Sequence, residues 1–129
     1  MSNMQFHNST LIAPSVGPFS TCVFANGLLF ISGQIGLKRS GVLAENFHDE
    51  VVTIMENIGL ILGEAGLSHS DIASVTIYLK DMKKFGELNE LYKKYFKQSY
   101  PARTCITVAG LPLNANVELT VTASLKVIE

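Results

Sequence analysis

The run from Val117 to Val127 alternates without a break, and it narrows the possible folds more than any other feature of the chain. Val117, Leu119, Val121, Ala123 and Leu125 share one side, while Glu118, Thr120, Thr122, Ser124 and Lys126 share the other. A period of two marks a strand buried on one face. The same two-sidedness returns in Ile72 to Lys80, where Val75, Ile77 and Leu79 oppose Thr76, Tyr78 and Lys80. The second side of these strands is rich in threonine and other small polar residues and carries too little charge for ordinary solvated surface. A further copy of the chain is its natural cover, so a closed oligomer is expected.

Between such strands the period changes. Phe47, Val51, Ile54, Met55, Ile58, Leu62 and Ala65 recur at steps of three and four, which is one face of a helix. Asn46 can cap its first turn, and Gly66 suits the left-handed residue that ends it. Gly59 and Gly63 fall inside this helix, where a close approach to a sheet would explain them. Asp81 caps a second helix whose apolar face carries Phe85, Leu88, Tyr92, Tyr95 and Phe96. Nearer the start, Phe19–Ala25 and Leu28–Ser32 read as strands joined by Asn26-Gly27, a hairpin dipeptide in which both residues tolerate positive φ. Pro14, Gly17 and Pro18 make Ala13 to Ser20 a structured loop, and Pro101 opens a strand reaching Val108. The predicted order is strand, strand, helix, strand, helix, strand, strand. That order gives an α+β sandwich with both helices on one face of the sheet.

Length and charge exclude several functions. At 129 residues the chain is read as one domain, 1–129, with no repeat or composition break. Its formal charge is −1 and no run of basic residues exceeds two, so neither nucleic acid nor a membrane surface is favoured as a partner. Cys22 and Cys105 are too few for a disulfide scaffold, and His7, His48 and His69 show no metal-ligand spacing. No signal peptide is evident, and a reducing, cytoplasmic setting is expected. A small organic molecule or another protein remains as the partner.

Several segments, in order, resemble the RidA family, also called YjgF or L-PSP endoribonuclease. They are Gly17-Pro18-Phe19-Ser20, Ser32-Gly33-Gln34-Ile35, Tyr78-Leu79-Lys80-Asp81-Met82, Asn89-Glu90-Leu91-Tyr92, Pro101-Ala102-Arg103-Thr104-Cys105 and Gly110-Leu111-Pro112, leading to Val117-Glu118-Leu119. The resemblance implies a chorismate-mutase-like fold with a mixed sheet, assembled as a homotrimer around a central barrel with its sites between subunits. It implies hydrolytic deamination of imines and enamines such as 2-iminobutanoate and 2-aminoacrylate to 2-keto acids and ammonia, with no cofactor or metal. By the same resemblance Arg103 grips the substrate carboxylate and Glu118 positions water. Backbone groups at Ser32-Gly33 and at Cys105 contact the substrate, and Phe19 and Asn89 line the pocket. The family usually has tyrosine at the position of Phe19, glutamine at Thr21 and lysine at Leu113. It often has a basic residue at Gly110 and glutamate at Thr120.

The residue types suit that chemistry. A guanidinium binds a carboxylate through two parallel hydrogen bonds, and a carboxylate can aim or deprotonate water. Gly33 lets a backbone N–H come close to a ligand. Taken alone, Arg103 and Glu118 would pass as surface charges, Cys105 as a small buried hydrophobe, and Phe19 and Asn89 as core and helix surface. If the last two strands formed a simple hairpin, Arg103 and Glu118 would lie ~17 Å apart, too far to share a substrate. Either they are not hairpin partners, or subunits complete the site together. The alternatives to imine hydrolysis are endoribonuclease or translation-inhibitor activity and a non-catalytic carboxylate-binding module.

Overall fold

A computed structural model describes residues 3–126 of the chain. Its strands are β1 (Gln5–His7), β2 (Cys22–Ala25), β3 (Leu28–Ile35), β4 (Ile72–Leu79), β5 (Ala102–Thr107) and β6 (Val117–Ser124), with helices α1 (Phe47–Glu64) and α2 (Phe85–Tyr92). They form one sheet in the order β1-β2-β3-β6-β4-β5. Only β4 and β5 run parallel; the other pairs are antiparallel. The α+β class is therefore as read from the sequence. The last two strands are not hairpin partners, one of the two possibilities left open by the sequence: β5 and β6 flank β4 on opposite sides.

The hydrophobic periodicity finds its core. Leu29, Ile31, Val75, Ile77, Leu79, Leu119, Val121 and Ala123 all lie on the face covered by the helices, and none is more than 2% exposed. Val51, Ile54, Ile58 and Leu62 of α1 pack against them. Asn46 caps α1 by accepting from Asp49 N at 2.9 Å. Asn26 and Gly27 both take positive φ, 52° and 76°, as the tight turn between β2 and β3 requires.

Local departures have local causes. The first predicted strand, β2, begins at Cys22 rather than Phe19, after bends at Val16, Gly17, Pro18 and Thr21. The short edge strand β1 lies too close to the start and is too brief to show a period. Asp81 does cap, accepting from Lys83 N, but it caps a 3₁₀ turn, and α2 ends at Tyr92. Tyr95 and Phe96 belong to or follow a further 3₁₀ turn. The last strand stops at Ser124, and Val127 lies outside the described residues.

A buried carboxylate ties the helix layer to the start of β6. Glu50 is 1% exposed and accepts from Asn116 N at 2.9 Å and from Asn116 Nδ2 at 2.6 Å. Asn116 N would otherwise be an orphan in the turn two residues before Glu118. Gly36 makes this closeness possible, since a Cβ there would sit 2.6 Å from Glu50 Cα.

The helix glycines answer to a different neighbour from the one expected. A Cβ on Gly59 would meet the His69 ring at 2.9 Å, not the sheet, and that ring is held by Met55 O at 2.9 Å. Gly63 has open space around it. Accordingly Gly63→Ala is expected to stabilise the protein by up to about 1 kcal/mol through helix propensity. Gly36→Ala, meeting helix backbone that cannot step aside, is expected to destabilise it by about 1–3 kcal/mol. Urea unfolding of the two variants beside the wild type checks both signs.

Candidate functional site

β3 does not pair evenly with β6. Ile31 faces Val121 and Gln34 faces Leu119, so Ser32 and Gly33 together oppose Thr120 as a bulge. Ser32 is fixed on both sides of the bulge: its N donates to Thr21 O at 2.9 Å, and its Oγ donates to Ser20 O at 2.7 Å. The space left by the missing side chain of Gly33 is taken by the Glu118 carboxylate, whose Cδ would lie 2.9 Å from an added Cβ. Gly33 thus makes room for a neighbouring side chain, a use that the sequence alone did not reveal.

Glu118 points away from the helices. Its register partner on β4 is Tyr78, which alternates with the buried Ile77 and Leu79. With Phe19, Ser32 and Gly33 it lines a cavity of about 370 Å³, closed on other sides by Ile12, Val16 and Pro112. The Glu118 carboxylate has no hydrogen bond or ion pair among the described residues. Burial pushes its pKa above the ordinary 4.5.

Arg103 lies on the other face. It pairs with Val75, so its side chain leaves the sheet on the helix side, where the guanidinium carbon sits 5.0 Å from the Tyr92 ring centre and 5.5 Å from that of Phe85. A second cavity of about 340 Å³ is lined by Arg103, Asn89, Tyr92, Tyr100 and Pro101. Two buried atoms on its wall residues, Asn89 Oδ1 and Tyr92 Oη, have no partner. Buried polar atoms are rarely left so, and such orphans collect where something else binds. Burial pushes the Tyr92 phenol up to about 12, against the opposing pull of Arg103.

The residues singled out from the sequence therefore fall into two groups. Phe19, Ser32, Gly33 and Glu118 share the first cavity; Arg103 and Asn89 share the second. Cys105 lines neither. It is half-buried against the core, and burial pushes its thiol up. Along β4, Arg103 and Glu118 sit three register positions and two strand spacings apart, about 14 Å between backbones, on opposite faces. One chain cannot close both groups on one small molecule. Tyr92 and Phe85 were read from the sequence only as an apolar helix stripe, which hid their contact with Arg103. Among the described residues no cluster of His, Cys, Asp or Glu could hold a metal ion, and no helix is long and apolar enough to cross a membrane.

Residues 10–125 match the family profile described as Endoribonuclease L-PSP. The chain belongs to this family. A RutC family protein of Aquifex aeolicus is 51% identical over 111 residues, covering 84% of this chain and 89% of that protein. A human family member named 2-iminobutanoate/2-iminopropanoate deaminase is 36% identical over 114 residues, covering 86% of this chain and 83% of its own. Among solved structures, E. coli TdcF with bound serine superposes with a TM-score of 0.89 at 29% identity, covering 95% of this chain and 99% of that one. The RidA-type α+β fold expected of an L-PSP family member is the fold observed.

Glu118 offers a test that needs no substrate. Its folded-state pKa is raised, so the folded state holds the proton more tightly than the unfolded chain does. The stability this contributes is present below the unfolded value and is lost as pH rises through the folded one. Glu118→Gln, which imitates the protonated form, is therefore expected to melt at a higher temperature than wild type at pH 7. That advantage should shrink as pH falls toward 4.5, as thermal scans across that range would show.

Proposed function

We propose that this protein hydrolyses imines and enamines of 2-keto acids, at sites each built from two subunits of a homotrimer of single 1–129 domains. The observation that carries the reading is the pair of unneutralised, opposite charges, Arg103 and Glu118, each in its own cavity on its own face of the sheet. A substrate with an anionic end and an electrophilic carbon needs both. In a closed ring of copies, the Arg103 side of one subunit meets the Glu118 side of the next.

The uncovered face supports the assembly. Phe6, Phe30 and Ile106 are 65%, 44% and 43% exposed there, among Ser74, Thr76, Thr104, Thr120 and Thr122. Glu118 is the only charge in these paired positions, and a face with so little charge fits burial around a central barrel. The serine in the TdcF structure and the name of the human relative belong to those proteins. Both agree with a small carboxylate as ligand here.

The chemistry then follows from the groups. Arg103 takes the substrate carboxylate in a bidentate grip and so fixes the C=N carbon beside water. Asn89 borders the same end, while Phe19 and the Ser32-Gly33 bulge border the other. Glu118, made more basic by burial, accepts a proton as the water oxygen bonds to the imine carbon. The proton passes to nitrogen, giving a carbinolamine; its hydroxyl proton is then handed to the amine as the carbonyl forms, the C–N bond breaks, and ammonia leaves the 2-keto acid. Atoms balance with water as the only co-reactant.

Coupled to a threonine dehydratase, the wild-type protein is expected to accelerate ammonia release from 2-iminobutanoate. Two lost hydrogen bonds to a charge, at about 1.5–3 kcal/mol each, give Arg103→Ala a fall in kcat/KM of about a hundredfold or more. Glu118→Gln is expected to lower kcat by about 10²–10⁴-fold. In the wild type the acid limb of the pH profile should lie above the ordinary glutamate value of 4.5. No acceleration over buffer would end this reading. RNA cleavage that survives repurification and is lost in Arg103→Ala would replace it with nuclease activity.

A further inference from the structure

Arg103 is held in an unusual way for a half-buried cation. It makes no hydrogen bond or ion pair with any described residue. Its guanidinium lies instead against two aromatic rings of α2, Tyr92 at 5.0 Å and Phe85 at 5.5 Å. The acidic groups of α2 are occupied elsewhere: Glu87 pairs with Lys84 at 3.9 Å, and Glu90 with Lys93 at 2.6 Å.

Resting on the function proposed above, we infer that Phe85 and Tyr92 are positioning residues that hold Arg103 in place without neutralising it. A carboxylate partner would fix the guanidinium at least as firmly, but it would also occupy the fork and compete with the substrate anion. The negative face of an aromatic ring attracts the cation through its quadrupole and carries no net charge. The full positive charge and the N–H edge remain for the ligand.

The spacing on α2 serves this arrangement. Phe85, Asn89 and Tyr92 are separated by four and three residues, so they form one stripe along the helix. β5 carries Arg103 past that stripe. The Tyr92 phenol is buried, and its pKa stands at about 12, so it stays neutral and cannot become a counter-ion at working pH. Phe85 is 38% exposed, so substitutions there test the idea without emptying the core.

The experiment is steady-state deamination of 2-iminobutanoate with calorimetric binding of 2-ketobutyrate, on the assembled protein and three variants. Phe85→Leu is expected to raise KM by about three- to tenfold and to weaken 2-ketobutyrate binding equally, with kcat and melting temperature nearly unchanged. Phe85→Tyr, which keeps the ring, should stay within about twofold of wild type. Phe85→Glu is the decisive variant. It can pin the guanidinium, yet it is expected to raise KM further than leucine does. An unchanged KM in both Phe85→Leu and Phe85→Glu, with an active wild type, overturns the role of the rings and leaves the deaminase reading standing. A fall in kcat and melting temperature without a KM change also overturns it, since that pattern belongs to packing. A wild type that neither turns over the imine nor binds 2-ketobutyrate overturns both.

Discussion

The position of β4 between β5 and β6 governs everything that concerns the site. Its parallel pairing with β5 sets Arg103 beside Val75, and its antiparallel pairing with β6 sets Glu118 beside Tyr78. Neighbours in register share a face, so these two pairings send the cation toward the helices and the carboxylate toward the open side. The alternation of β4 is in turn held by Val75, Ile77 and Leu79, which are at most 2% exposed. A slip of one residue would bury Thr76 and Tyr78 and expose the core, so the division of charge is as secure as the core itself.

Two devices then refine the open side. The bulge at Ser32-Gly33 turns β3 so that the Glu118 carboxylate rests over a residue with no side chain, and the Glu50–Asn116 clasp fixes the turn that leads into β6. Glu118 itself is desolvated and without a partner among the described residues, which raises its basicity at some expense of stability. On the helix side Arg103 is likewise left without a counter-ion. In the proposed trimer each of these incomplete arrangements is completed by a neighbour and a substrate. An isolated subunit would hold two half-sites.

The fold was legible where periodicity is strong and local. The stretch Val117–Ser124, the face of α1 and the Asn26-Gly27 turn follow from side-chain period and allowed φ, and each stands as read. What periodicity could not give was strand order: nothing in β5 or β6 alone tells that β4 lies between them, because pairing is a property of partners distant in sequence. The ~17 Å separation applied only to a hairpin of the last two strands, the alternative that the strand order removes. Glu50 escaped notice because a glutamate in the first turn of a helix ordinarily faces water. Arg103, Glu118, Phe19, Ser32, Gly33 and Asn89 were named from motif, and the fold sorts them into two cavities that the motif alone does not separate. Cys105 lines neither cavity, and burial pushes its thiol up.

The most direct measurement is complementation between dead subunits. Arg103→Ala and Glu118→Gln chains, each inactive in its own oligomer, would be co-expressed with different tags, and oligomers containing both would be isolated by two-step affinity purification. In a mixed trimer of either composition one interface in three carries an intact Arg103 facing an intact Glu118, so about one third of wild-type deaminase activity should return. Activity no greater than that of the parent variants, in oligomers that demonstrably contain both chains, would contradict a site shared between subunits.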